Sequence, residues 1–368
     1  MSIYVWGYLK EYALERKETL EAIEGVLESG QLILGPNVRE FESEFAAWCG
    51  ARHGVGVDNG TNAIFLALKA VGVEPGDEVI TVANTAVPTV SAIVSAGAVP
   101  RFVDIRPDTC LMDTDLLEGA VTSKTKCIVP VHLYGQCVDM DAVRDVASKH
   151  AIRIVEDCAQ AHGARYKERV AGSMGHASAF SFYPTKILGT YGDGGMVLTS
   201  DEQVEDKLRR LRFYGMESTY YANEHGYNSR LDELHAAILR KKLKHLDAYL
   251  ARRRELAGRY DRLLADTGLG LPVCAEGNYH AYYLYVVRHP ARDAIMAELK
   301  ENDVFVNISY PWPIHTMAGY AWLGGKEGDL PHTEKAAQEI FSLPMFPSLS
   351  NEDQDRVCSI LKKIMGSL

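Results

Sequence analysis

Apolar residues along this chain recur at two alternating spacings, and each spacing marks a different kind of element. Leu14, Leu20, Ile23, Val26 and Leu27 fall between charged residues at helical intervals and predict a helix over 14–27. An apolar loop bounded by turn residues follows at 30–36, then a helical pattern over 38–49. That loop fits a pocket cover and packing under the first helix equally well. From there short strand-like runs alternate with helical ones. Strands are expected over 55–58, 78–81, 100–104 and 152–155, and helices over 62–70, 88–96, 116–121 and 140–150. The stretch 127–133 reads as one apolar run, the mark of a strand buried on both faces. Further strands are expected over 178–182 and 196–199, a helix over 204–211, a polar irregular loop over 220–229, and a long helical region from 231 to about 264. This alternation argues for an α/β fold with a mostly parallel sheet flanked by helices. The remainder carries a strand over 282–287 and a helix over 291–300, and reads as a smaller α+β domain. The expected division is a large domain over 1–249 and a small one over 250–368.

Composition narrows the function classes. With 368 residues, 47% hydrophobic and 24% charged, the chain is ordinary globular protein, long enough for one large core and a second small one. A net charge of −10 argues against nucleic acid as a partner. The first residues show no basic segment followed by an apolar core, so no secretory signal is expected. No apolar run reaches the roughly 18 residues of a membrane helix, so no membrane association is expected. Seven cysteines are scattered without a C-x-x-C pair, which fits reduced thiols in a cytoplasmic protein. No His/Cys cluster has metal-ligand spacing, and no G-x-S-x-G marks a serine nucleophile.

Candidate chemistry lies at three strand ends. The stretch 178–195 places Lys186 just beyond a strand that Pro184 terminates, followed by Gly189, Gly192, Gly194 and Gly195. A lone lysine in such a turn is usually just solvated. Asn59-Gly60-Thr61 joins a short strand to a helix, where unpaired N–H groups and the helix dipole favour an anion. Asp157 and Gln160 follow the strand at 152–155, with His162 nearby, where ligands of parallel sheets bind. Each feature alone is weak. Together they describe what pyridoxal phosphate needs: a phosphate cradle, a carboxylate that keeps the pyridine nitrogen protonated, and a lysine for a Schiff base.

At these residues the chain also resembles the DegT/DnrJ/EryC1/StrS aminotransferases. The resemblance rests on EDCAQAHGA at 156–164, SFYPTK at 181–186, GDGG at 192–195 and NSRLDELHAA at 228–237, and runs from LGPNVREFE to SYPWPIH. It implies the fold of type I pyridoxal-phosphate transferases and amination of keto groups on nucleotide-linked sugars. The cofactor implied is pyridoxal 5'-phosphate, with its pyridoxamine form arising in the half-reaction. By resemblance Lys186 bonds the cofactor and shuttles a proton, Asp157 pairs with the pyridine nitrogen, and Gln160 lies near the phenolic oxygen. Gly60, Thr61 and Ser181 hold the phosphate, and Asn228 reaches the neighbouring subunit's phosphate site in a homodimer with shared active sites. Tyr183, Tyr310 and His315 become substrate contacts, though each fits a structural role as well. Arg230 and the 32–36 loop, with Leu34, become diphosphate contacts. Ala86 stands where the family often carries an aromatic ring over the cofactor.

The pattern Leu188-Gly189 to Gly195 resembles members that act on 3-keto sugars. The expected substrate is therefore a 3-keto deoxysugar on dTDP, with a UDP-linked amino sugar second and L-glutamate as donor. A 4-keto sugar aminotransferase is the nearest alternative. A dehydratase of this fold would carry histidine in place of Lys186, and a non-catalytic homologue would bind cofactor or sugar without turnover.

Overall fold

The computed structural model describes residues 2–367. Its centre is a seven-stranded sheet of β1 (His53–Val57), β2 (Glu78–Val82), β3 (Val99–Val103), β4 (Thr125–Ile128), β5 (Arg153–Asp157), β8 (Ala177–Ser181) and β9 (Gly195–Thr199). The spatial order is β1-β9-β8-β5-β4-β2-β3, and only β9 runs against the rest. Short strands β6 (Arg165–Tyr166) and β7 (Arg169–Val170) pair beside β12 (Asn278–Tyr279), and β10 (Met216–Ser218) pairs with β11 (Tyr221–Ala222).

Side-chain alternation along the strands divides two cores. Val79, Cys127, Val155, Ala177, Ala179 and Val197 face one side, where they meet α3 (Gly60–Ala70), α4 (Val87–Ser95) and α7 (Glu202–Leu211). Ile80, Ile128, Ile154, Phe180 and Met196 face the other, against α2 (Pro36–Cys49), α6 (Met140–Lys149) and α8 (Glu233–Leu243). Both faces are covered by helices, which is why these strands read as apolar runs. The fold is the expected α/β architecture.

Several expectations need correction. The strand expected over 127–133 ends at Ile128, because Pro130 has no N–H for the ladder. The chain then returns for one bridge, Val131 to Asp157, before a tight turn with Tyr134 at φ 59°. The helical region from 231 is two helices, α8 and α9 (Leu246–Leu264). The loop over 220–229 contains the β10–β11 hairpin and a bridge between Phe213 and Asn228. The first helix, α1 (Tyr8–Ser29), starts earlier than its apolar pattern, and that pattern divides: Ile23 and Val26 turn inward while the leucines do not. Leu14 and Leu27 are exposed, while Thr19, Ala22 and Val26 are buried, the last two against Ala237 and Ile238 of α8. The small residues allow the two helices to approach closely, and the leucines are left outside.

The small domain has its own core around α9, α10 (Arg292–Glu301), α12 (Asn351–Met365) and the pair β13 (Tyr285–Arg288) and β14 (Ile340–Leu343). The division expected at residue 250 falls inside α9, whose Leu256, Tyr260 and Leu264 enter this second core. Ile3 enters it too: its N–H donates to Asp303 O at 2.8 Å, and its carbonyl accepts Phe305 N–H at 2.8 Å. The Val5 carbonyl accepts Met345 N–H at 3.1 Å. Between these elements the chain swings back to the large domain, where α11 (Pro331–Glu339) is capped by Asp104 accepting the Thr333 N–H and hydroxyl.

Candidate active site

β5 ends in two adjacent carboxylates that point to opposite faces. Asp157 shares the α3 face with Val155; Glu156 shares the other with Ile154. Glu156 is fully buried and fully served. His132 takes the Val138 N–H on Nδ1 (3.1 Å), so its Nε2–H donates to Glu156 at 2.9 Å. The N–H groups of Gly172, Met174 and Gly175 also donate to Glu156, at 2.6–2.9 Å. Burial alone would raise the Glu156 pKa, but these bonds outweigh it and hold it below the ordinary value. His132, Glu156 and Cys158 lie close enough to suggest a metal, yet the lone pairs of the first two are already spent on these bonds.

Asp157 is served poorly by comparison. Its Oδ2 accepts the Thr89 hydroxyl at 2.8 Å, and its Oδ1 accepts the Ala159 N–H at 3.1 Å. Thr85 in turn lies 2.9 Å from Thr89 and donates to it, since the Thr89 proton is committed to Asp157. Burial raises the Asp157 pKa, and Thr89, Ala159 and the charge of Lys186 offset this only in part. No arginine, lysine or histidine pairs with this carboxylate among the described residues. A buried carboxylate in this state suits a cationic ring nitrogen as its missing partner.

The candidate phosphate cradle lies on the same face. Asn59 caps α3 by accepting the Asn62 N–H at 2.8 Å, leaving Gly60 and Thr61 in the first turn, where amides have no intrahelical acceptor. A Cβ built on Gly60 would stand 2.6 Å from Ser181 Cβ, and one on Gly195 would stand 2.4 Å from Asn59 O. Glycine at both positions lets the α3 N-terminus sit directly beside Ser181, which shares the α3 face of β8 with Ala177 and Ala179. Ser181, Gly60 and Asp157 thus converge at the carboxyl ends of β8 and β5, where the residues present fit a phosphate and a pyridinium nitrogen.

Lys186 stands on a loop pinned at both ends. Phe182 N–H donates to Gly194 O, and Thr190 N–H to Phe182 O, each at 2.8 Å. Lys186 N–H closes a turn onto Tyr183 O at 2.9 Å, and Gly189 packs where a Cβ would meet that same carbonyl at 2.7 Å. The lysine Nζ lies 4.8 Å from the centre of the Tyr283 ring, whose hydroxyl is 3.2 Å from Thr185 Oγ1. Buried Arg253 fixes that segment by donating to the carbonyls of Tyr282, Tyr283 and Met345. Tyr191, in the glycine tract, is wedged edge-on between Tyr8 and Tyr12 of α1 and lies under Lys242.

Gln160 lies across the site. Its Oε1 accepts the Tyr134 N–H at 2.8 Å, and its Nε2 donates to the Tyr310 hydroxyl at 2.8 Å. Tyr310 therefore belongs to the site through Gln160. Burial pushes its hydroxyl pKa up and keeps it protonated. His162, packed among Phe45, Phe180 and Phe182, is pushed down to about 3 by burial and the charge of Lys186, so it stays neutral.

The other expected residues are dispersed. Tyr183 is 51% exposed at the lysine turn. Arg230 holds its guanidinium over Phe213 and Tyr214, at 5.2 and 5.7 Å, with no carboxylate partner among the described residues. Asn228 is exposed, and the next residue, Ser229, bonds Asp58 at the entrance to the chain's own cradle. His315 is held by an element outside the lysine loop. Its buried ring bonds Glu334 of α11 at 2.9 Å, which closes the 315–334 loop instead. Leu34 packs partly buried against the large core with φ 50°. Ala86 is the N-cap of α4 and contributes no ring. Thr89, Thr85, Tyr134, Tyr283 and Arg253 were not visible as site residues in the sequence. Only Thr85, next to the Ala86 noted there, lay near a signal.

No helix among the described residues is long and apolar enough to cross a membrane. The model of the DegT/DnrJ/EryC1/StrS aminotransferase family matches residues 13–362. The chain is 58% identical to the dTDP-3-amino-3,4,6-trideoxy-alpha-D-glucose transaminase of Micromonospora megalomicea subsp. nigra, with 100% of both chains covered. It is 45% identical to the pleiotropic regulatory protein of Geobacillus stearothermophilus, with 97% of both covered. Among solved structures, S. venezuelae DesV in complex with a ketimine intermediate superposes with a TM-score of 0.97 at 42% identity, covering 99% of this chain and 98% of that one.

Proposed function

The chain belongs to the DegT/DnrJ/EryC1/StrS aminotransferase family, and from that premise we propose that it aminates the 3-keto carbon of a nucleotide-linked deoxysugar, taking nitrogen from L-glutamate. The observation that carries the reading is Asp157: a buried carboxylate without a cationic partner, on one sheet face with the Gly60–Ser181 cradle. The Micromonospora transaminase supports dTDP as the nucleotide and the 3-position as the site of amination.

Pyridoxal phosphate, when bound, supplies an aldehyde for the amine and a ring that accepts the electron pair released as a substrate C–H bond breaks. The chain's residues do the rest. Gly60 and Thr61 amides with Ser181 Oγ would hold the phosphate. The Asp157 carboxylate, oriented by Thr89, would hold the proton on the ring nitrogen. The Lys186 amine would take the substrate proton and return it at a different carbon, with the Tyr283 ring 4.8 Å from its Nζ as a wall beside it. Arg230, stacked and without a carboxylate partner among the described residues, would suit the diphosphate by its chemistry.

We also propose a homodimer. The exposed leucines of α1 and the exposed Leu32 and Ile33 support a partner surface, and exposed Asn228 would serve the neighbouring cradle. Dimers mixed from Lys186→Ala and Asn228→Ala chains test this. Two unequal sites are expected, and two alike would assign Asn228 to its own cradle.

Catalysis itself is tested by the visible absorption spectrum of purified protein before and after L-glutamate, without sugar. A band that bleaches is expected, and a panel of 3-keto and 4-keto sugar nucleotides then fixes regiochemistry. Lys186→Ala should show neither the bleaching nor turnover. A persistent band in the native protein would reject glutamate or catalysis, as expected of a non-catalytic homologue.

A further inference from the structure

The strands that carry the site also have opposite ends, and these build something different. β4, β5 and β8 are parallel neighbours. β5 ends at Asp157 but begins at Arg153. β8 ends at Ser181, and His176 immediately precedes it. Lys126 lies in β4 near its start. Between these strand starts and α6 lies a groove of about 510 Å³. Its lining includes Lys126, Arg144, Arg153, His176 and Ser148, with Met174 on its floor, and no aspartate or glutamate.

Charge makes this groove unusual. The chain carries a net charge of −10, so a carboxylate-free concavity with three permanent cations runs against the whole. Among the described residues, neither Lys126 nor Arg153 has an ion pair or side-chain hydrogen bond. Arg144 is partly engaged, through one N–H to Asp141 at 2.6 Å. His176 accepts the Ile154 N–H on Nδ1 at 3.0 Å, so its Nε2 is left as a donor. Burial and the charge of Arg153 lower its pKa, so the ring is neutral at pH 7.

We propose that this groove is a second ligand site, for a small molecule bearing a diphosphate. Two guanidinium forks and an ammonium suit several phosphate oxygens better than one carboxylate. The volume lies in the range of about 300–1,000 Å³ typical of small-molecule sites. Ala147, Ala151 and Met174 add apolar surface for a nucleoside or another group attached to the diphosphate. Four residue steps along β5 separate Arg153 from Asp157, roughly 13 Å at strand rise. A ligand in the groove therefore leaves the phosphate cradle free, and the inference does not depend on which sugar the enzyme aminates.

Isothermal titration of cofactor-loaded protein with inorganic pyrophosphate, and separately with dTDP, tests the proposal. Pyrophosphate should bind with a Kd below about 1 mM. The variant Lys126→Met/Arg153→Met should weaken it at least tenfold while leaving the thermal unfolding midpoint and amino transfer unchanged. Arg230→Ala should leave it unaffected. Arg153→Lys, which keeps the charge but loses the fork, should fall between. Tighter binding of dTDP than of pyrophosphate in the Arg230→Ala background would assign the apolar floor to the nucleoside. Equal binding would assign the site to the diphosphate alone. Absence of binding, binding unchanged in the double methionine variant, or binding lost only with Arg230→Ala would overturn the proposal.

Discussion

Glu156 and Asp157 are one residue apart, equally buried, and chemically almost the same, yet they sit in opposite circumstances. Glu156 accepts from His132 and from three backbone N–H groups, and its pKa is held down. Asp157 accepts from one hydroxyl and one N–H, and its pKa is pushed up. The first charge is neutralised by the fold itself. It ties the β5 end to the 172–175 turn and to the 132–138 loop. The second is left short of partners by the fold, at the point where Lys186 and the phosphate cradle meet. Burial and residue type alone do not tell a structural carboxylate from a functional one. The count of groups that serve it does.

This contrast can be broken from either side. The largest effect expected is Asp157→Ala: amino transfer should fall by about a thousandfold or more, the scale of losing a key electrostatic group. Unfolding of the cofactor-free protein should show no loss of stability. A stability loss matching that of Glu156 variants would erase the distinction. Glu156→Ala should do the reverse, costing about 3 kcal/mol in urea unfolding by leaving His132 and three N–H groups unserved. Its kcat per folded molecule should stay within a few-fold of the native value.

Acid sharpens the comparison, because the two groups have opposite signs. The folded pKa of Glu156 lies below its ordinary value, so its stabilisation is complete above about pH 4.5 and is lost as pH falls through the folded pKa. The folded pKa of Asp157 lies above its ordinary value. Its charge therefore costs stability at neutral pH, and that cost is relieved as pH falls through the folded pKa. In cofactor-free protein, Glu156→Gln should flatten the acid limb of the stability profile and Asp157→Asn should steepen it. The smallest effect expected is Thr89→Val. It removes one of the two partners of Asp157, worth about 1 kcal/mol, so cofactor affinity should weaken roughly fivefold by equilibrium dialysis.

What was legible in the sequence is what local chemistry dictates. A strand, a glycine and a cap announce the cradle at Asn59-Gly60-Thr61, and β5 followed by Asp157 announces a strand end. Lys186 is conspicuous because a proline and four glycines surround it. The supporting residues were not legible because they arrive through tertiary packing. Thr89 meets Asp157 across 68 positions, and Tyr283 meets Thr185 across 98. His315 drew notice as a histidine near a YP turn, and its partner Glu334 appears only once α11 is folded back. The leucines of α1 misled for another reason. Periodicity reports that a helix has an apolar face, not which of its residues turn inward; here Ile23 and Val26 do, beside the smaller Ala22, and Leu14 and Leu27 do not.

The pairing of Ile3 with the segment around Val304 ties the closing of the small domain to contacts made across about 300 positions. The large sheet can close on its own strands, but the second core has to wait. Its β14 ends at Leu343, and the Val5 carbonyl is met by Met345. Until those segments are in place, Ile3 and Val5 lack their docking partners. Joining ends so far apart adds loop-closure entropy that grows only as the logarithm of the span, so the cost is modest in energy and large in time. The segment around Ile3 thus acts as a latch on the small domain, one that engages only when the 303–305 and 343–345 segments are both in place.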